Sequence, residues 1–336
     1  MSIDDLALVF LILAIFAIAL IAFWPLMTVF IWAVSIAVVL LPAHKWLSRR
    51  VSPAASATFL TIWVLLLTLL VTSLAAGVLI NNKAEIGQMG VSMVSGLQET
   101  AFAGFMPEFS EQELANFDKT LTDLIVKATL SVTGTNTMQT LLSIIIFFLT
   151  VSMLLYYGES IWTATTSAGS AKFRDGVRRL SEIAENTVYS LIIVQISAAV
   201  ISFVLAIAFF SLLGRGDVLL FSAMIGFAML IPLIGAQAMI LILALYFLSI
   251  GDSTASVIML VVGYPLLSGW IDFYYRPVMM GRRVAVHPVI MMIGIFAGVP
   301  FMGIVGFIVG PVLIALVVIG AKILSEAYYG PESQNP

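Results

Sequence analysis

Cysteine is absent from the 336-residue chain, which excludes disulfides, thiolate metal sites and thiol nucleophiles. Histidine is nearly absent: His44 and His287 are the only two, too few for a histidine-built zinc or haem site. No metal or cofactor is expected. Charge is scarce as well. Asp, Glu, Lys and Arg make up 10% of the residues, against about 25% in a soluble domain. No cluster of Lys and Arg is large enough to track a phosphate backbone, so no nucleic-acid partner is expected. There is no G-x-S-x-G, no H-E-x-x-H and no glycine-rich loop ending in G-K-[ST], the usual marks of hydrolases, zinc proteases and nucleotide pumps. The chain does not read as an enzyme, and ATP-driven work by it alone is disfavoured.

Apolar residues fill the space the others leave. They make up 61% of the chain, and the mean hydropathy is +1.13. Such a composition suits lipid rather than water. Divided at about 20 apolar residues per crossing, the runs predict about seven to eight membrane-spanning helices. The fold class is an all-α, polytopic integral membrane protein, placed in the cell membrane with lipid as its surroundings.

The first run, 6–24, follows Asp4 and Asp5 with no early Lys or Arg, unlike a cleaved signal. A retained first helix is expected. Pro25 separates it from a shorter run, 26–41, and the two read as a tight hairpin. Lys45, Arg49 and Arg50 follow and point to the cytoplasm; His44 among them reads as a surface residue. The run 54–80 then crosses outward. The segment 81–139 carries three positive and seven negative charges and reads as external. Within it Ser110 and Glu113 have capping-box spacing. Leu114, Phe117, Leu121, Leu124 and Ala128 share one helical face. The run 140–157 returns to a second basic cluster, Lys172, Arg174, Arg178 and Arg179, which reads as an interfacial helix. Asp175 with Arg179, and Arg178 with Glu182, are spaced for i,i+4 pairs. The run 188–213 crosses outward and ends in a Gly214–Asp217 turn. Both termini are expected in the cytoplasm.

The last third is punctuated by proline. Six of the twelve prolines lie between 232 and 311, so its long apolar runs are expected to be broken. The run 218–249 contains I-P-L-I-G at 231–235. It is either one long helix or a re-entrant hairpin. The hairpin lets 255–271 cross inward and puts Arg276, Arg282 and Arg283 in the cytoplasm, which favours it. The run 288–324 is interrupted at Val299-Pro300 and reads as a second hairpin. Gly294 and Gly298 are four apart, as are Gly306 and Gly310, a spacing that allows close helix approach. Five segments result: 1–80, 81–139, 140–187, a core at 188–325, and a polar tail at 326–336.

The candidate site is G-W-I-D-F-Y-Y-R-P-V-M-M-G-R-R-V-A-V-H-P at 269–288. Asp272 follows an apolar stretch, where a carboxylate must be paired, neutralised or wet. Arg276 lies four residues on, at pairing distance on a helix. The two are either an anchoring ion pair or part of an ion or solute path. Arg282 and Arg283 are topology anchors or direct binders. His287 either titrates near neutral pH or caps the loop before Pro288. Gln195, polar among apolar residues, bonds across helices or joins the path. Pro232 and Gly235 mark the break, and Pro277 ends the Asp–Arg turn.

These motifs resemble the AI-2E family, also called the autoinducer-2 exporter-like or PerM family. The resemblance is carried by I-P-L-I-G-A at 231–236, by the 269–288 stretch and by F-M-G-I-V-G-F-I-V-G-P at 301–311. Leu233 and Ala236 depart from the family's usual aromatic and proline. Asp272, Arg276, Pro277, Gly281 and His287-Pro288 match its pattern. The resemblance implies a multipass secondary transporter, homo-oligomeric and in examples pentameric. Its cargo is a small solute such as autoinducer-2, or sodium exchanged for protons.

Overall fold

A computed structural model of the protein describes residues 3–98, 112, 116, 119–120, 123, 137–167, 170–232, 235–281 and 287–329. Every regular element among them is helical. The helices fall into two compact units, 1–62 with 136–165, and 63–135 with 166–336. Among the described residues, six helices are long and apolar enough to cross a bilayer: 24–47, 53–81, 138–164, 171–213, 253–280 and 306–326.

The first unit contains α1 (Ile3–Ala22), α2 (Met27–Leu47), the start of α3 (Pro53–Asn81) and α5 (Thr137–Ser167). A 3-10 turn, Trp24–Leu26, joins α1 to α2. Among the described residues α1 and α2 do not pack along one another, so the expected tight hairpin is not seen there. Helix α2 also runs through Pro42 instead of ending there. Small residues are buried here: Ala33 and Ala37, four apart on α2, and Ser56 and Ala57 on α3. His44 is buried rather than a surface residue, with Nδ1 3.0 Å from the Ser56 hydroxyl.

The second unit contains the rest of α3, then α4 (Lys83–Gln98), α6 (Ala171–Leu213), α7 (Val218–Met229) and α8 (Gly235–Ser249). Helix α9 covers residues 253–281, and α10 (Pro288–Met302) and α11 (Gly306–Tyr329) close the chain. Of the segment 81–139, expected outside, 81–98 folds as the end of α3 and α4, whose Met89 joins a core with Phe210, Phe221, Phe247 and Leu267. Ser110, Glu113 and the apolar face 114–128 lie outside the described residues, as do Arg282, Arg283 and the end of the tail.

Helix α6 corrects one expectation. No interfacial helix precedes its crossing, since residues 171–213 form one helix of 43 residues. Ser170 caps its start and Gly214, at φ 63°, closes its end, the left-handed stop that glycine supplies without strain. Nothing between offers a break strong enough to divide it. The expected pairs form, Arg179 to Asp175 at 2.9 Å and Arg178 to Glu182 at 3.7 Å. Arg179 also reaches Glu326 of α11 at 2.9 Å.

The run 218–249 is a broken hairpin, as charge placement favoured. Asp217 caps α7 and Asp252 caps α9. Arg215 pairs with Asp252 at 3.2 Å, bringing both ends of the hairpin together beside the end of α6. Helices α7 and α8 have 12 and 15 residues. At 1.5 Å per residue they are about 18 and 22 Å long. Neither spans a hydrocarbon core of about 30 Å alone. The second hairpin breaks at Gly303, at φ 59°, not at Val299-Pro300. Its proline is absorbed within α10, and the turn is made where only glycine is at ease. A Cβ at Gly298 would strike the Gly306 carbonyl, and one at Gly310 the Gly294 carbonyl. The two glycine pairs therefore face each other across the hairpin.

Candidate functional site

The site forms where the tip of the α7–α8 hairpin meets α6 and α9. Helix α7 stops at Met229, leaving carbonyls that have no partner within the helix. Gln195, buried on α6, donates its side-chain amide to the Met229 carbonyl. Arg276 of α9 places Nη2 3.3 Å from the Met229 sulfur. A cation beside a helix C-terminus is favoured by the helix dipole.

Helix α8 starts at Gly235 and carries Gln237 in its first turn. The Gln237 amide donates to Asp272 Oδ2 at 3.1 Å. The Ser268 hydroxyl donates to the same oxygen at 2.8 Å. Arg276 Nε lies 3.2 Å from Asp272 Oδ1. The carboxylate thus lies by the start of one half-helix and the guanidinium by the end of the other. Each charge meets the dipole end of opposite sign, an arrangement broken membrane helices use at central sites.

The pair is close but not aligned. Asp272 Oδ1 and Arg276 Nε are buried and neither makes a hydrogen bond, although they lie within ion-pair distance. The contact is therefore electrostatic, with the directional bonds of Asp272 supplied by Gln237 and Ser268. The side chains of Arg276 and Asp272 are 8% and 10% exposed. Depth follows from their neighbours. The Tyr275 hydroxyl donates to Ser197, and the Ser202 hydroxyl to the Leu267 carbonyl. Asp272 is therefore level with α6 near residue 198. The stretch 198–213 is about 22 Å long, so the pair lies well inside the apolar length of α6.

Helix α9 has an unusual backbone here. The N–H groups of Tyr264, Trp270 and Arg276 bond back five residues, to Met259, Pro265 and Ile271. Three successive π turns thus lead to the Asp272–Arg276 pair. Such turns are rare and gather at functional sites.

The sequence-predicted residues divide clearly. Asp272, Arg276 and Gln195 come together through Met229. Pro232 is buried in the hairpin connector, and a Cβ at Gly235 would collide with the Ala228 carbonyl. Pro277 is half-buried in the last turns of α9. His287 is exposed and caps α10, its Nδ1 accepting the Val289 N–H at 3.3 Å. Gln237, Ser268, Met229, Tyr275 and Ser197 were not anticipated. Ser268 had a readable signal, lying four residues before Asp272. Met229 had none, because its backbone carbonyl is what Gln195 uses.

Spanning helices, a broken hairpin and a buried charge pair at its tip define a polytopic membrane protein built for transport. The profile of the AI-2E family transporter matches residues 9–326. The chain belongs to this family and is a membrane transporter. A protein of Methanothermobacter thermautotrophicus is 25% identical over 300 residues, 88% of this chain and 87% of that protein. One of Aquifex aeolicus is 20% identical over 318 residues, 87% and 88% of the two. One of Methanocaldococcus jannaschii is 26% identical over 219 residues, which is 64% of this chain and 61% of that protein, under two thirds of its length. The names of all three begin "Putative transport protein".

Proposed function

We propose that this chain is a secondary transporter that exports a small solute such as an autoinducer-2-like signal without ATP. Asp272 exchanges a proton or sodium ion during its cycle. The observation that carries the reading is the Asp272–Arg276 pair, buried at the hairpin tip and held by charge without an aligned hydrogen bond. A pair so held separates more readily than a bidentate one. When Asp272 is neutralised, Arg276 keeps the end of α7 and the Met229 sulfur. Movement of the hairpin tip then couples ion and solute. The termini and the clusters 45–50 and 172–179 face the cytoplasm, and 81–98 faces outside. The working form is a homo-oligomer, with the pentamer taken from the family resemblance. Native mass spectrometry showing monomer alone at every concentration would contradict that assembly.

The test of function is efflux of autoinducer-2 from proteoliposomes with an imposed proton or sodium gradient. Acceleration by one gradient supports the reading. Flux unaffected by either gradient makes the protein a channel. Ion exchange without solute movement makes it an antiporter.

A further inference from the structure

Six buried side-chain polar atoms among the described residues have no hydrogen-bond partner: Thr187 Oγ1, Ser190 Oγ, Gln195 Oε1, Ser222 Oγ, Asp272 Oδ1 and Arg276 Nε. They are not scattered. Three lie on α6, two on α9 and one on α7, the helices that build the candidate site. Other hydroxyls behave differently. Ser35, Thr61, Thr68, Thr72 and Ser197 each donate to the carbonyl four residues back, the usual way a helix in lipid satisfies them. Thr187 and Ser190 do not, although they are 0% and 2% exposed. A buried polar atom without a partner calls for a water or an ion.

Their placement has a direction. Thr187, Ser190 and Gln195 fall within an arc of about 140° on α6, and from first to last they rise about 12 Å. The file starts five residues beyond Glu182, which is exposed on the charged end of α6. It ends at Gln195, whose amide holds the Met229 carbonyl beside Arg276. Oxygens spread over that height cannot converge on one sodium ion. They are well spaced to accept and relay hydrogen bonds along a row of waters.

We propose that Thr187, Ser190 and Gln195 line a water file that carries protons between the charged end of α6 and Asp272. The inference rests on the ion-exchange reading of Asp272 and narrows it to the proton. The step is a transfer only. A proton leaves the last water of the file and binds a carboxylate oxygen of Asp272, the water regains one from its neighbour, and the charge pair with Arg276 is lost. Return of the proton restores the pair.

The absence of cysteine from the chain makes the file directly testable in the full-length protein. Thr187→Cys, Ser190→Cys and Ala206→Cys are reconstituted in liposomes and exposed to silver ion. The surviving thiol is then titrated after unfolding. Ala206 is the control, fully buried in the apolar core farther along α6. The two file positions are expected to react at least about tenfold faster than Ala206, as a wet position among dry ones should. Equal rates at all three overturn the file. Thr187→Val and Ser190→Ala supply a second measurement, proton flux followed with an entrapped pH dye. If the hydroxyls are dry, removing them is neutral or stabilising and leaves flux unchanged, which overturns the proposal. If they hold the file, flux falls several-fold while the melting temperature is kept. Reactive thiols with no proton-coupled solute flux would keep the file and remove the coupled-transport reading. Proton-coupled flux with unreactive thiols would do the reverse.

Discussion

Asp272 is stable in its setting because several weak terms act on it together. Ser268 and Gln237 fill one oxygen, and Arg276 offsets the charge from the other side. Gln195 matters in a different way. It touches neither charge but holds the end of α7 against α6. Gln195→Leu keeps the bulk and leaves the Met229 carbonyl unpaired. It is expected to destabilise the protein by about 1–3 kcal/mol, measured as a lowered melting temperature in detergent. An unchanged melting temperature would show that water serves the carbonyl equally well. Asp272, Arg276 and Gln195 were legible in sequence because polar residues in apolar runs must be explained. Gln237 belongs to the same class, and its partner was hidden by 35 intervening residues. His287 is the opposite case. Its lone imidazole admitted titration or capping of the loop before Pro288, and in the structure it caps the start of the helix that follows, α10.

The two hairpins are breaks of different kinds. Between the end of α7 and the start of α8 the helix is interrupted, and Asp272 and Arg276 lie beside the two helix ends. At Gly303 it turns sharply and the helices α10 and α11 meet glycine on glycine. Gly298→Leu is expected to prevent that approach, because its side chain would enter the backbone of Gly306. Loss of the monodisperse peak in size-exclusion chromatography checks it. A well-folded Gly298→Leu protein would mean that the hairpin tolerates separation. Gly303→Ala tests the turn itself. It places a Cβ at φ 59°, with an expected cost of about 1–3 kcal/mol. Thermal melting measures it, and no change would mean the turn adapts. The glycine pairs were legible from their four-residue spacing, but the break was placed three or four residues early because proline is the louder signal. The π turns of α9 were not legible. Apolar spacing of three and four is compatible with both backbones, and packing against Ser202 and Ser197 of α6 bears on which is adopted.

For the whole molecule, composition settled the class and basic clusters suggested the topology. The unbroken α6 was missed because its charged start and apolar end differ so sharply in composition. Sidedness is expected to follow the basic residues. Lys45→Cys should resist an impermeant maleimide in intact cells, and Arg215→Cys should react; the reverse pattern would invert the topology. Transport by ion exchange is the central claim, and Asp272→Asn addresses it. Asparagine keeps the size and one acceptor but loses the charge and the proton site. If the carboxylate were only a fixed partner of Arg276, removing it would cost about 3–5 kcal/mol and folding would fail, with rescue by a second change, Arg276→Gln. The decisive measurement is therefore autoinducer-2 efflux driven by an imposed proton gradient in proteoliposomes, normalised to folded protein. The Asp272→Asn protein should assemble, lose gradient-driven efflux, and stay inactive when combined with Arg276→Gln. Gradient-driven efflux at the wild-type rate in Asp272→Asn would contradict the account.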